Sequence, residues 1–348
     1  MRDILIECVP NISEGRNLDT INAIVESARK IEGVNILGCE PDADYNRTVI
    51  TIAGEPSCVT KGAYAIIQKS LELIDMEKHT GNHPRMGAVD VCPFVPLSPN
   101  SMDECIRSAH QLSKMVNKKV PNFFYGEAAS SDDRMALSRL RKEEYEGLES
   151  RFNGGKWDNE NTRMPDSWSG KWGANERKFG AVAIGARNIL VAYNVNVNEI
   201  DAKASKIAGS LVRTSGRLVK KNGKKIRING MLKHVQGMGV PLPASSISQV
   251  SMNLQNVAET PMHMAFEAVK SIVNDHGIET CGSELVGLVP LSAMIDSGRW
   301  FSSDPENDSD EELVAKAIAG LGLDYLKEFN PNVSIIEWAI QNRSDNNE

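Results

Sequence analysis

Apolar positions along the chain fall into short segments whose period alternates between that of a strand and that of a helix. Residues 4–9 form an apolar run that enters the turn Pro10-Asn11-Ile12-Ser13-Glu14-Gly15, and they read as a buried strand. Leu18, Ile21, Ile24, Val25, Ala28 and Ile31 then recur at the spacing of one helix face. Strands over 34–39 and 48–53 flank a polar connection, and Val59, Ala63, Ile66, Ile67, Leu71 and Ile74 line a helix over 57–75. A strand at 89–95, a helix at 103–116 and a short strand at 122–125 continue the alternation, which is that of helices layered on a sheet.

The pattern breaks over 150–177, where Gly, Asn and charge gather around Trp157, Trp168 and Trp172. So long a stretch without periodicity is functional or mobile. It is expected either to close over a ligand or to lie as a surface loop. A long apolar strand over 179–197 opens a second α/β unit. That unit continues through a helix at 199–212, strands near 231–238 and 247–253, a helix at 262–274 and helices near 291–298 and 311–320. Residues 341–348 are polar and read as a frayed end.

The formal charge of −7 excludes a general nucleic-acid binder, which needs a basic face to displace counterions. No apolar run approaches the ~20 residues that cross a bilayer, so no membrane association is expected. The start Met1-Arg2-Asp3-Ile4 lacks the features of a signal peptide. Cys8, Cys39, Cys58, Cys92, Cys105 and Cys281 include no CxxC pair, so free thiols in a cytoplasmic setting are expected.

The densest chemistry lies in His79-Thr80-Gly81-Asn82-His83-Pro84-Arg85-Met86-Gly87-Ala88-Val89-Asp90. Histidines four apart resemble a zinc pair on a helix, but Gly81 weakens a helix here and Pro84 disfavours the helical region for His83. No further ligand cluster accompanies them, so no metal is expected. A histidine in a Gly-rich turn beside an arginine can instead serve as an acid or base near neutral pH, or simply hydrogen-bond the turn. Asp42-Ala43-Asp44-Tyr45-Asn46-Arg47 joins two strands and can orient a histidine, grip a substrate, or form only a hydrated turn. Lys220, Lys221, Lys224, Lys225, Arg227 and Lys233 surround two Asn-Gly turn signals. They read as a solvated hairpin or as a rim for a polyanion. The acids of 304–312 lack the midway glycine of a calcium loop and suit the start of a helix.

Longer strings add to these readings. Cys8-Val9-Pro10-Asn11-Ile12-Ser13-Glu14-Gly15, Asn46-Arg47-Thr48-Val49, His83-Pro84-Arg85-Met86-Gly87 and Asp90-Val91-Cys92-Pro93-Phe94 resemble the glutamate formimidoyltransferase family. So do Gly185-Ala186-Arg187, Asn194 and Asn196, Val235-Gln236-Gly237, Gln249-Val250-Ser251 and Leu285-Val286-Gly287-Leu288-Val289-Pro290, in family order over about residues 4 to 337.

The resemblance implies an α/β (α+β) fold of two mixed-sheet subdomains with helices packed on the sheets and a ligand groove between them. The expected divisions are 1–178, 179–337 and a tail at 338–348. It implies a homodimer that transfers the formimidoyl group of N-formimidoyl-L-glutamate to N5 of tetrahydrofolate, a co-substrate whose tail is in some cases polyglutamylated. This chain stops where the cyclodeaminase of fused relatives would begin, so only the transferase is expected. The resemblance places the catalytic histidine at His83, with Glu40, Asp42 and Asp44 competing as its acidic partner. Asp42 and Asp44 are taken as catalytic candidates. Arg47, Arg85, Phe179, Gly180, Arg187 and Asn194 are the candidates for binding folate or substrate carboxylates. Residues 171–178 depart from the family pattern ahead of Phe179-Gly180, and 217–230 is longer than in the family. A formyl exchange between N-formylglutamate and 5-formyltetrahydrofolate, or folate binding without catalysis, are the competing functions. The amidinium of the formimidoyl donor calls for carboxylates near His83, whereas a formyl oxygen calls for N–H donors.

Overall fold

A computed structural model describes residues 4–345 except 44, 82, 99, 117, 118, 222 and 223, with side chains described as far as 342. The chain divides into two compact units, residues 1–188 and 189–348.

The first unit carries a mixed sheet. Its strands are β1 (Ile6–Cys8), β2 (Asn11–Ile12), β3 (Val34–Asp42), β4 (Arg47–Gly54), β5 (Val89–Pro96), β6 (Asn122–Gly126) and β7 (Val182–Ala186). β3 pairs with β4, and β1 and β2 together separate β4 from β5 as one interrupted strand. β7 then lies parallel between β5 and β6. One face is covered by α1 (Leu18–Arg29), α2 (Pro56–Leu73) and α3 (Met102–Val116). Asn17 caps α1 by accepting from Thr20 N at 3.0 Å, and the predicted stripe Ile21, Ile24, Val25 and Ala28 is the buried one.

The opposite face is partly covered by short helices: α4 (Asp132–Met135), α5 (Leu137–Leu140), α6 (Glu144–Phe152), α7 (Glu160–Arg163) and α8 (Ala174–Phe179). Over 150–177 the chain holds the end of α6, α7 and part of α8, with its tryptophans anchored on this face. Trp168 and Trp172 pack with Phe152 at ring separations of 4.9 and 5.6 Å, over Phe123 and Tyr125 of the sheet. Arg151, wholly buried, donates to the carbonyls of Leu140, Thr162 and Arg163, and its guanidinium lies 4.0 Å from the Trp157 ring. Every residue of β5 except Pro96 is buried between these layers, which is why it reads as an apolar run interrupted only by Asp90.

The predicted strand over 179–197 is two strands. β7 belongs to the first sheet, and Arg187 N still donates to Phe94 O at 3.0 Å. After Asn188 the chain enters the second unit as β8 (Val191–Val197). The divide therefore falls at 188/189, because α8 and β7, which lie at and beyond the expected 178/179 boundary, pack into the first unit. The rest of this unit comprises α9 (Lys203–Val212), β9 (Arg217–Lys221), β10 (Lys224–Ile228), β11 (Val235–Leu242), β12 (Ile247–Leu254), α10 (Met262–Asn274), β13 (Thr280–Val286), α11 (Leu291–Phe301), α12 (Asp310–Leu321), α13 (Pro331–Ser334) and α14 (Ile336–Asp345). Its main sheet is antiparallel in the order β11-β12-β8-β13, and β9 and β10 form a separate hairpin. Tyr193, Val195, Val250 and Met252 point into a core shared with α9 and α10. The acids near 310 start α12 as predicted, with Ser309 and Glu312 closing a capping box. The expected tail at 338–348 is, within the described residues, the end of α14, with Trp338 and Ala339 packed inward.

Candidate active site

The turn between β3 and β4 and the histidine loop are joined by one residue. Asn46 takes the left-handed conformation (φ 50°) and is buried. Its Oδ1 accepts from Gly15 N at 2.9 Å, its Nδ2 donates to Thr80 O at 2.8 Å, and its carbonyl accepts from His79 Nε2 at 3.0 Å. Next to it Arg47, opposite Asp42 at the start of β4, donates through its Nη1 to Nε2 of His83 at 2.7 Å. A guanidinium has only donors, so Nε2 carries the lone pair. The edge of Tyr45 closes on the same imidazole, ring centres 5.9 Å apart.

His79 is held differently. Its Nε2 has a carbonyl partner, so it donates, and its Nδ1 accepts from Arg85 Nε at 3.3 Å. Arg85 is buried and spends its remaining donors on Glu146, at 2.6 and 2.8 Å, and on Glu144 at 3.2 Å. Both ring nitrogens of His79 are therefore satisfied. An open cleft of about 580 Å³ lies on this side, lined by Thr80, Gly81 and the acids Glu143, Glu144 and Glu146 among others.

Burial, and then the charges of Arg47 and Arg141, push the imidazole of His83 down to about 4, against a hydrogen bond to the Pro84 backbone and the negative charge of Asp42. Beneath it Asp90 lines the same small cavity as His83, Arg47 and Tyr45. Asp90 accepts from Met86 N at 2.9 Å and pairs with Arg141 at 2.7 Å. Burial nonetheless holds its carboxyl up at about 6. His83 is thus neutral at pH 7, with its Nε2 lone pair engaged by a cation.

The structure brings His83, Arg47 and Asp42 together. Asp42 itself accepts from Tyr45 N at 2.9 Å and acts on His83 through its charge. Asp44 lies outside the described residues. Arg85 is next in sequence but saturated by the two glutamates. The Phe179 ring is in the core of the first unit, while its carbonyl accepts from Ala88 N at 2.7 Å. Gly180 bridges Gly87, and a Cβ on either would meet backbone atoms at 2.1 and 2.4 Å. Only glycine at both positions lets these two segments touch. Arg187 bonds the Asn188 carbonyl at 3.0 Å, and Asn194 lies on β8 of the second unit. Asn46 and Asp90 fell inside strings read from the sequence but were not taken as site candidates, and Arg141 lay in none of them. Asp90 left one legible signal, a lone carboxylate inside the apolar strand Val89–Pro96. Among the described residues no group of three His, Cys, Asp or Glu could hold a metal ion, and no helix is long and apolar enough to cross a membrane.

Known proteins resemble this chain over most of its length. Residues 5–187 match the formiminotransferase domain, N-terminal subdomain, and residues 192–341 match the formiminotransferase domain. A glutamate formimidoyltransferase of Streptococcus pyogenes serotype M1 is 32% identical over 322 residues, covering 91% of this chain and 99% of that protein. One from Thermoplasma acidophilum is 37% identical over 301 residues, 85% of this chain and 92% of the relative. The formimidoyltransferase-cyclodeaminase of Dictyostelium discoideum is 38% identical over 342 residues, 97% of this chain, but the chain spans only 60% of that relative's length. The chain belongs to the formiminotransferase family.

Proposed function

We propose that this chain transfers the formimidoyl group of N-formimidoyl-L-glutamate to N5 of tetrahydrofolate, giving 5-formimidoyltetrahydrofolate and L-glutamate, with His83 as the base. The observation that carries the reading is the unprotonated Nε2 of His83 held 2.7 Å from Arg47 within a matched family segment. The donor is an amidinium, so its carbon is already electrophilic. N5 attacks that carbon, the C–N5 bond forms and the π electrons move to nitrogen. His83 takes the proton from N5 and returns it to the glutamate nitrogen as the C–N bond to glutamate breaks. A base whose pKa is near the working pH serves both transfers best.

A histidine held at about 4 is too weak a base for that cycle, and Arg47 supplies part of the reason. A carboxylate of the glutamate donor that draws Arg47 into a bidentate pair would remove its charge from Nε2 and strengthen the base as substrate arrives. Asp42 and Asp90 put carboxylates close to His83 and Arg47 and Arg141 put N–H donors there, so the choice of the formimidoyl donor rests on the named relatives. Bound metal has no part in this scheme. The family resemblance adds a cytoplasmic homodimer, for which light scattering would give about twice 38.1 kDa.

The test follows glutamate release from formimidoylglutamate and tetrahydrofolate by the wild type and His83→Ala, with and without chelator. Turnover that ignores chelator and collapses in a folded variant is expected. Turnover with N-formylglutamate alone, or turnover unchanged by His83→Ala, would overturn the reading.

A further inference from the structure

The connector between α5 and α6 is bent towards the histidine loop. Glu143 and Glu144 both take the left-handed conformation (φ 65° and 53°), which residues other than glycine seldom adopt. The bend lays Arg141, Glu144, Tyr145 and Glu146 against the residues that follow His83. Tyr145 N donates to Arg85 O at 2.8 Å, and Glu144 and Glu146 take the Arg85 guanidinium. Arg141, at the end of α5, goes to Asp90 instead, with Nη2 2.7 Å from Oδ2. The other oxygen of Asp90 accepts from Met86 N at 2.9 Å. One carboxylate therefore ties the connector to the stretch between His83 and β5.

Stability alone does not account for this pair. Asp90 is almost wholly buried in an otherwise apolar strand. Taking both charges out of water is costly, and an apolar pair of similar volume is often as stable or more so. The contact at Oδ2 is ionic, without an aligned hydrogen bond, and the buried Nε of Arg141 has no hydrogen-bond partner among the described residues. What the pair supplies is a cation at a fixed place. Arg141 is, after Arg47, the second cation that acts on His83, against the negative charge of Asp42. Tyr45, His79, Arg85 and Asp90 line the same small cavity. Arg47 touches Nε2 and is available to a substrate carboxylate. Arg141 is already answered by Asp90, so its charge stays where it is when substrate arrives.

We propose that Arg141 is a positioning residue for His83: anchored on Asp90, it fixes the loop that carries the imidazole and keeps a constant cation beside it. The role given to His83 rests on the proposed transfer. Of the two cations, Arg47 is the one that substrate can remove and Arg141 the one that it cannot.

Arg141→Gln removes both the anchor and the cation, and Arg141→Lys restores a cation at this position. In the full chain, Arg141→Gln should lower kcat about ten- to hundred-fold through misplacement of the base. The KM of formimidoylglutamate and that of tetrahydrofolate should each stay within about two-fold. The His83 titration, followed by NMR, should move up from about 4 in Arg141→Gln and return in Arg141→Lys, together with most of the turnover. Asp90→Asn should lower kcat as Arg141→Gln does, and the double variant should be no worse than either, because each breaks the same link. A merely structural pair would lower the thermal midpoint and leave the His83 titration of the folded protein in place. Unchanged kcat, a titration that stays near 4, no recovery in Arg141→Lys, or additive losses in the double variant would each overturn the assignment. The titration does not depend on turnover. A wild type that transfers nothing would refute the transfer reading, and the His83 midpoint in Arg141→Gln would still decide this one.

Discussion

Two histidine–arginine pairs stand at the two ends of one loop, and they are built to opposite ends. In His79–Arg85 every ring nitrogen is bonded and the guanidinium charge is answered by Glu144 and Glu146. In His83–Arg47 the guanidinium donates to the lone pair of Nε2, and its buried Nε has no hydrogen-bond partner among the described residues. Saturated polar groups fix a fold, while buried groups left incompletely answered mark where a ligand completes them. The same two residue types thus give a brace at one end and a site at the other.

The most severe way to break this comparison is to delete each histidine. His83→Ala should lower turnover by ~10²–10⁴-fold with little change in thermal midpoint. His79→Ala should instead cost about 1–3 kcal/mol of stability, because the Asn46 carbonyl and Arg85 Nε lose a partner. Calorimetry beside the turnover assay separates the two, and an exchange of these phenotypes would reverse the assignment.

The arginines sharpen the contrast at smaller amplitude. Arg85→Met should destabilise by about 1 kcal/mol, the low end because Glu146 is 63% exposed and solvent screens it. Arg47→Gln should leave the melting temperature nearly unchanged and raise the formimidoylglutamate KM about ten-fold. It should also move the His83 titration, followed by NMR, upward from about 4. The midpoint should remain below 6.5, because burial is the larger cause and persists. A midpoint that does not move would remove Arg47 from the account of His83.

Dependence on pH is the subtlest probe. The acid limb of kcat/KM reports the free enzyme and should lie near 4, and that of kcat reports the complex and should lie higher, with Arg47 engaged by substrate. For folding, the depressed pKa of His83 means that the unfolded chain binds the extra proton, so its contribution is present above about 6.5 and is lost as pH falls towards 4. Asp90 runs the other way: held near 6, it favours the folded state at low pH and loses that contribution as pH rises from about 4 to 6. His83→Gln should therefore expose a net fall in stability over that range, measured by denaturant unfolding.

Local pattern carried much of this into the sequence. The stripe of Ile21, Ile24, Val25 and Ala28 and the helix Met262–Asn274 were legible because burial on one helix face imposes its own period. The loop from His79 to Asp90 was legible from its residue types. The saturation of Arg85 was not, since its glutamates arrive from α6, fifty-nine and sixty-one residues away. Nor was the break inside 179–197, where two apolar strands in succession serve different sheets with only Arg187 and its neighbours between them.

The contact between Gly87 and Gly180 sets a schedule for biosynthesis. The segment following His83 is pinned to the end of α8, 93 residues later in the chain (180 − 87). At roughly 5–20 residues per second, a ribosome needs about 5–19 s to make that stretch. A nascent chain that has emitted the whole histidine loop therefore waits, without its active site, for the second half of the clasp. Truncation before residue 180 should yield a product whose helices form and whose chemistry does not.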